Sequence, residues 1–334
     1  MRKKPHVLLA HEALLRRLKP YYRNHPAIQS NYQRHKAGFY GESRVDYKLS
    51  LMQKNNYIHI PGVRLNNHQH YFQIDSIIIT PKLIFIIEAK NMQGVLEYYA
   101  SQRQLVQITD QVQQSYKDPI LQAKLQVKQL KKWIGQTNKI PIEFLVVSTN
   151  PATIIKNMNN EKEFNYRFVT LENLTFRMDE IYHKYQKHIL NKEQMNLLAE
   201  KLIEEDSPLI VDLIDEYGVE KDHLINGIPC SNCEKVPVKR INKMWICSQC
   251  GKNDRRVHER VIFDYFLLHG KTITNSQCQK LLKVSNRYIA YRILKTMKLS
   301  TSGQNKAKKY MTPAIKDFPQ NGEYDTKLKI LQKQ

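Results

Sequence analysis

Three charged residues lie inside an otherwise apolar stretch: Asp75, Glu88 and Lys90, within residues 73–91. Two isoleucine-rich runs, separated by Thr80, Pro81 and Lys82, read as an antiparallel hairpin with a short loop. Centring the loop on Pro81 and Lys82 sets Asp75 opposite Glu88, with β-carbons roughly 5 Å apart. Lys90 follows on the same face, because side chains alternate along a strand. Two carboxylates and an ammonium would thus converge on one side of a sheet. Burying like charges side by side is costly unless something positive sits between them, and a divalent cation is the usual answer. A solvent-facing hairpin end with a surface ion pair would show the same spacing. Apolar residues on both faces, from Ile77 to Ile79 and from Ile84 to Ile87, point instead to an interior strand pair with charges at the rim of a core.

A second chemistry is carried by cysteine. Cys230, Cys233, Cys247 and Cys250 form two Cys-x-x-Cys pairs separated by 13 residues. Four soft thiolates suit a closed, tetrahedral and structural Zn2+ site. Redox use of such pairs is the alternative, and two copies at this distance argue against it. Strand-like runs between the pairs are those of a zinc ribbon, a module that depends on its metal to fold. Lys239, Arg240 and Lys243 there are available to phosphate or to solvent. Cys278 stands alone and reads as a small core residue.

These groups need elements to position them. Residues 7–19 read as a short amphipathic helix, docked on the core that holds Asp75 and Glu88 or touching nucleic acid, and 19–36 as a connector. A helix from Gly41 would carry Val45, Leu49 and Met52 inward, with Glu42 in its first turn, where the helix dipole alone would favour an acid. Tyr57 to Leu65 reads as a strand, and residues 94–99 and 104–109 as a second hairpin near the cleft. Asp118 as N-cap and Pro119 start a further helix, with Leu121, Leu125, Leu130 and Ile134 as its buried stripe. Gln122, Gln126 and Gln129 would share a neighbouring face, and Gln122 alone is favoured for function. Ile142 to Thr149 completes the sheet, and helices are expected at 171–185, 192–204 and 208–217.

The carboxyl-terminal region reads as three helices, 257–268, 274–282 and 285–297, in a helix-turn-helix-like order. Asn286, Arg287, Tyr288, Tyr291, Arg292 and Lys295 would face nucleic acid, with a wing around Lys306, Lys308, Lys309 and Tyr310, then a flexible tail. Any small three-helix bundle shares that apolar pattern, and charge tips the reading. The formal net charge is +22, with 9 Lys/Arg against 1 Asp/Glu in residues 1–40 and 17 against 6 in residues 253–334. A polyanionic partner follows, DNA first, with RNA open. No apolar run approaches the ~18 residues that span a bilayer, so a cytoplasmic protein without membrane contact is expected.

Four ordered motifs carry a resemblance: Gly38-Phe39-Tyr40-Gly41-Glu42, Phe72-Gln73-Ile74-Asp75, Ile87-Glu88-Ala89-Lys90-Asn91 and Asp118-Pro119-Ile120-Leu121-Gln122. Over residues 38 to 150 the chain resembles the nuclease-related domain, NERD, of the PD-(D/E)XK nuclease superfamily. The resemblance implies an α/β, restriction-endonuclease-like core, a mixed sheet flanked by helices. It also implies a catalytic set of Glu42, Asp75, Glu88 and Lys90 with Gln122 as accessory, and Mg2+ or Mn2+ on Asp75 and Glu88. Ser76 departs from a frequent histidine, and the hairpin loop lacks the usual glycine near Leu83. The expected organisation is a basic segment (1–37), the nuclease-like core (38–150), a helical extension (151–226), the zinc ribbon (227–252) and the basic helix-turn-helix-like region (253–334). A metal-dependent deoxyribonuclease is the expected activity, the alternative being a DNA-binding protein that uses the nuclease-like fold as a scaffold.

Overall fold

The computed structural model describes residues 2–52, 57–67, 70–110, 112–135 and 139–320, with Lys306 described by its backbone only. The expected tail beyond residue 320 lies outside them. In chain order the elements begin with α1 (His6–Arg17), α2 (Pro26–Ser50), β1 (Ile58–Asn66), β2 (Tyr71–Ile79), β3 (Ile84–Lys90), β4 (Val95–Tyr99), β5 (Gln104–Thr109) and β6 (Val112–Lys117). There follow α3 (Pro119–Ile134), β7 (Ile142–Ser148), β8 (Ile154–Asn157), α4 (Lys162–Arg167), β9 (Phe168–Thr170), α5 (Leu174–His183), α6 (Lys192–Glu204) and α7 (Leu213–Glu216). The chain ends with β10 (Lys239–Ile241), β11 (Met244–Ile246), β12 (Asn253–Asp254), α8 (Val257–His269), β13 (Thr272–Thr274), α9 (Asn275–Leu282), α10 (Arg287–Thr296), β14 (Thr301–Ser302) and β15 (Lys309–Met311). Two compact units result, one of residues 1–2 and 36–208, the other of 3–35 and 209–334.

The first unit is built on a mixed sheet of order β1-β2-β3-β7-β9. β1, β2 and β3 run antiparallel in turn, while β7 and β9 lie parallel to β3. Both faces are covered, which is why the central strands are apolar without alternation. One face packs Ile77, Ile79, Ile84 and Ile86 against Ile120, Ala123 and Leu130 of α3 and Met195 and Leu202 of α6. The other packs Ile78, Phe85 and Ile87 against Val45 and Leu49 of α2 and Leu174 and Met178 of α5. Each fully buried isoleucine contributes about 1.5–3 kcal/mol. A second sheet, β6-β5-β4-β8, contains the expected second hairpin and two further strands.

Three local expectations are corrected. The helix carrying Glu42 does not begin at Gly41: α2 starts at Pro26 and runs unbroken to Ser50, and residues 20–24 of the expected connector form a 3-10 turn. Proline is favoured at a helix start, Ile28 and Tyr32 give the added turns a buried face, and the two glycines are cheap enough, at ~1 kcal/mol each, not to break it. The buried stripe of α3 is Pro119, Ile120, Ala123, Gln126 and Leu130, while Leu121 and Leu125 are exposed. Of the helix expected at 208–217, only Leu213–Glu216 is helical, capped by Asp212.

In the second unit α1 packs against α7 and α8, burying Leu8, Leu9, Leu14 and Leu15 with Val261, Ile262 and Phe266. β10, β11 and β12 form one small sheet and β13, β15 and β14 another, the latter beside α9 and α10. Sequence-distant basic ends thus share one body: this unit holds 30 Lys/Arg against 13 Asp/Glu, +17 of the chain's +22. Among the described residues no helix is long and apolar enough to cross a membrane.

Candidate active site and metal centre

The hairpin register is the one its loop predicts, from Ile79 opposite Ile84 to Ser76 opposite Ile87. Pairing stops there. β3 continues beside β7 through Glu88, Ala89 and Lys90, while Asp75 leaves the ladder and accepts the Ala89 N–H on Oδ2 at 2.9 Å. The two strands therefore part at the acidic pair, and their ends form the floor of the site.

Glu88 is only 4% exposed and its carboxylate is held from three sides. Lys90 Nζ donates to Oε1 at 2.8 Å, Gln122 Nε2 to the same oxygen at 2.7 Å, and Gln126 Nε2 to Oε2 at 2.7 Å. Lys90 donates again to Gln122 Oε1 at 2.9 Å, so the amide bridges the ion pair. Asp118 caps α3 through the Ile120 and Leu121 N–H groups and accepts from Tyr98, which fixes the helix that delivers both glutamines. Gln126, passed over in the sequence in favour of Gln122, is buried and donates to the Glu88 carboxylate. Its i,i+4 spacing from Gln122 was the available signal.

Glu42 reaches the rim from α2. A Cβ on Gly41 would stand 2.6 Å from Asn91 Cβ and 2.8 Å from Thr149 Oγ1, so glycine lets this helix lie directly on the strand ends. Asn91 Nδ2 also donates to the Ala37 carbonyl at 2.7 Å. Arg2, which sequence reasoning missed, binds Glu42 at 2.5 Å, both oxygens of Asp46 and the Asp75 carbonyl at 2.6 Å. Its last partner is the Ser76 hydroxyl at 3.1 Å, beside which His59 Nε2 lies at 3.3 Å. No local periodicity announces a residue joined to its partners across 40 or more positions.

Electrostatics follow from this crowding. Burial raises the Asp75 pKa well above the usual carboxylate range, and Glu88 and Glu42 add to the rise against the Ala89 N–H and Lys90. Burial likewise raises Glu42, with Arg2 opposing and Glu88 and Asp46 assisting. A carboxyl whose pKa rises on folding stabilises the fold fully below its unfolded value of ~3.9, and that contribution is lost as pH rises through the folded value. Asp75→Asn should therefore melt higher than wild type at pH 8 without added divalent ion, by about 2–4 °C per kcal/mol relieved. The gap should close towards pH 4, and thermal melts at both pH values check it.

The cysteines form the second centre. Their four sulfurs lie within 4.8 Å of one another, with Cys230 to Cys250 at 3.6 Å and Cys233 to Cys247 at 3.5 Å. Bonds of ~2.3 Å in a tetrahedron would set sulfurs ~3.8 Å apart. The two knuckles repeat one hydrogen-bond pattern. Cys230 N donates to the Lys235 carbonyl and Cys247 N to that of Lys252, both at 2.9 Å. Asn232 N and Gln249 N each donate to the first sulfur of their knuckle at 3.4 Å. Glu234 and Gly251 occupy matching left-handed positions. Main-chain hydrogen bonding at Lys252 pulls the Cys250 thiol down to about 6. Cys233, although pulled down by the Lys235 main chain, is pushed up to about 12 by burial and the other thiols. Such opposed shifts at Cys233 and Cys250 follow from thiols packed side by side among main-chain N–H groups.

Among the described residues the other three-ligand group is the exposed Glu220 and Asp222 with the half-buried His223; Glu42, Asp75 and Glu88 do not form one. Their carboxylates turn instead to Arg2, Ala89, Lys90 and the glutamines. Residues 37–149 match the family model of the nuclease-related domain. This segment is a NERD domain. No curated protein and no solved structure matches the chain. Inside the NERD domain lie Glu42, Asp75, Glu88, Lys90, Gln122 and Gln126. The four cysteines lie outside it, as do Asn286, Arg287, Tyr291, Arg292, Lys295, Lys308 and Lys309. Asn286 caps α10 through the Tyr288 N–H. Arg287, Tyr291 and Lys308 line one polar cleft of about 530 Å³ with the start of α9, while Arg292 and Lys295 are exposed on α10 and Lys309 on β15.

Proposed function

We propose that the protein is a metal-dependent nuclease that hydrolyses phosphodiester bonds in DNA. One observation carries this reading: in a NERD domain, Glu88, Lys90 and Gln122 form a closed hydrogen-bonded set beside Asp75, where two strands part. Asp75 and Glu88 offer the hard carboxylate oxygens that suit Mg2+ or Mn2+, and a bound cation would offset the burial and neighbouring acids that raise the Asp75 pKa. Asp75, whose Oδ1 accepts none of the described hydrogen bonds, and Glu88 would hold the ion, and Glu42 would support it from outside. When bound, the ion polarises the phosphate and acidifies water.

The remaining work falls to the chain. Lys90 has three N–H groups, of which Glu88 and Gln122 take two; the third can hold the attacking water or a phosphate oxygen. Gln122 and Gln126 keep the Glu88 carboxylate from turning away. As the water oxygen bonds to phosphorus and the ester oxygen leaves, Lys90 stabilises the extra negative charge. Zn2+ in the cysteine centre would fold the ribbon. Helix α10 and the sheet with β15, read as a helix-turn-helix with a wing, would bring Arg287, Tyr291, Arg292, Lys295, Lys308 and Lys309 to DNA.

Purified protein should cut supercoiled plasmid or linear DNA with Mg2+ or Mn2+ and not without them, and a Glu88→Ala, Lys90→Ala variant should not cut. Single-stranded DNA and RNA in parallel name the substrate. Equal DNA binding by both proteins, with no cutting in any condition, would leave a DNA-binding protein on a nuclease-like scaffold.

A further inference from the structure

The second unit contains a cleft of about 840 Å³ whose walls come from sequence-distant basic segments. Arg16, Arg17 and Arg23 line it from one segment, and Lys252, Arg255, Arg256 and Arg260 from the stretch that links the second cysteine knuckle to α8. Against these seven cations its walls hold three acids, Glu234, Asp254 and Asp264. The acids are all engaged, Glu234 by Arg23 at 2.9 Å, Asp264 by Arg16 at 2.7 Å and Asp254 by the Arg256 and Val257 N–H groups, and Arg256 itself pairs with Glu259 at 2.7 Å.

Arg17 is the informative member. It is 5% exposed, yet its guanidinium donates to the carbonyls of Gly227, at 3.0 Å, and Ile225 rather than to a carboxylate. Burial pushes its pKa down, Arg16 adds to that, and Asp264 opposes both. A buried guanidinium short of anionic charge is costly unless an anion completes the site. Arginine forks match phosphate oxygens. Among the described residues that line it none is aromatic, so these walls offer no stacking surface of the kind by which single strands are held.

We infer that this cleft binds the phosphodiester backbone of a nucleic-acid duplex without reading its sequence, as a contact separate from α10 and β15. The inference rests on the chain acting on nucleic acid, but not on its cutting it. Lys252 and Arg255 are exposed and no described side-chain contact depends on them, so Lys252→Ser with Arg255→Ser leaves the fold intact. Lys280→Ser with Lys316→Ser removes equal exposed charge from the same unit outside the cleft.

Binding of a fluorescein-labelled duplex of arbitrary sequence, followed by anisotropy between about 50 and 200 mM salt without added Mg2+ or Mn2+, reads the contact directly. Each neutralised phosphate contributes ~0.9 to the slope of log K against log salt, so the cleft pair should flatten it by about 2 and weaken binding roughly tenfold. The control pair should leave the slope nearly unchanged. An unchanged slope in the cleft pair, an equal fall in both pairs, or a wild type that prefers single strands to duplex would each overturn the proposal, even for a chain that cuts DNA. A chain that binds as expected but never cuts would overturn the nuclease and leave the cleft standing.

Discussion

Replacing Glu88 by glutamine should lower metal-dependent DNA cleavage at least ~1000-fold, a loss of about 4 kcal/mol of transition-state stabilisation. Two effects act together. The variant removes one of the negative charges that would hold the divalent ion. It also presents an amide NH2 to a pocket made of donors, since Lys90, Gln122 and Gln126 all give hydrogens to this carboxylate. One of those contacts becomes donor against donor, and a buried group left unpaired costs about 1–3 kcal/mol. Some loss of thermal stability in the NERD domain is therefore expected beside the loss of rate. Duplex binding without divalent ion should survive, because the basic surplus lies in the other unit. Initial rates on plasmid DNA, with circular dichroism and anisotropy on the same sample, separate the two effects. A folded variant that keeps more than about a tenth of the wild-type rate, a barrier change near 1.4 kcal/mol, would remove Glu88 from the chemistry.

Cys247→Ser should release the metal and unfold the cysteine module. Zinc binding supplies about 10–16 kcal/mol in isolated modules of this size, well beyond what three short strands can bury. The signal is built in: Trp245 is 1% exposed, donates to His258 Nδ1 at 2.9 Å and lies under the Arg240 guanidinium at 5.1 Å. Wild type should contain one zinc per chain by elemental analysis, and the variant none. Trp245 emission should move to longer wavelength as the ring meets water. Visible absorbance from iron, or an unmoved spectrum after the metal is lost, would count against a structural zinc site. The first unit has its own core on both faces of its sheet, so its melting should be much less affected.

Much of both clusters was legible in the chain because local rules govern strand register and cysteine spacing. A short loop set the strand register and a two-residue period set Glu88 and Lys90 on one face, whereas Asp75, expected opposite Glu88, leaves the ladder and turns to the Ala89 N–H; the Cys-x-x-Cys turns bring paired sulfurs together within a few residues. The same local reasoning chose Leu121 and Leu125 as the buried stripe of α3. The sheet instead received Ala123 and Gln126, because the Glu88 carboxylate beneath needed a donor more than the helix needed another leucine there. It also started the Glu42 helix at Gly41, where the glycine serves close approach to Asn91 and Thr149 and not a helix end. By itself, then, the sequence determined the paired apolar strands, the ligand spacings, the helix caps and the sign of the charge. Only the tertiary structure decided that Arg2 and Gln126 belong to the acidic site and that two distant basic segments close one cleft. Periodicity and spacing act over a few residues, whereas these partners are chosen by which buried charges the completed fold leaves to be satisfied.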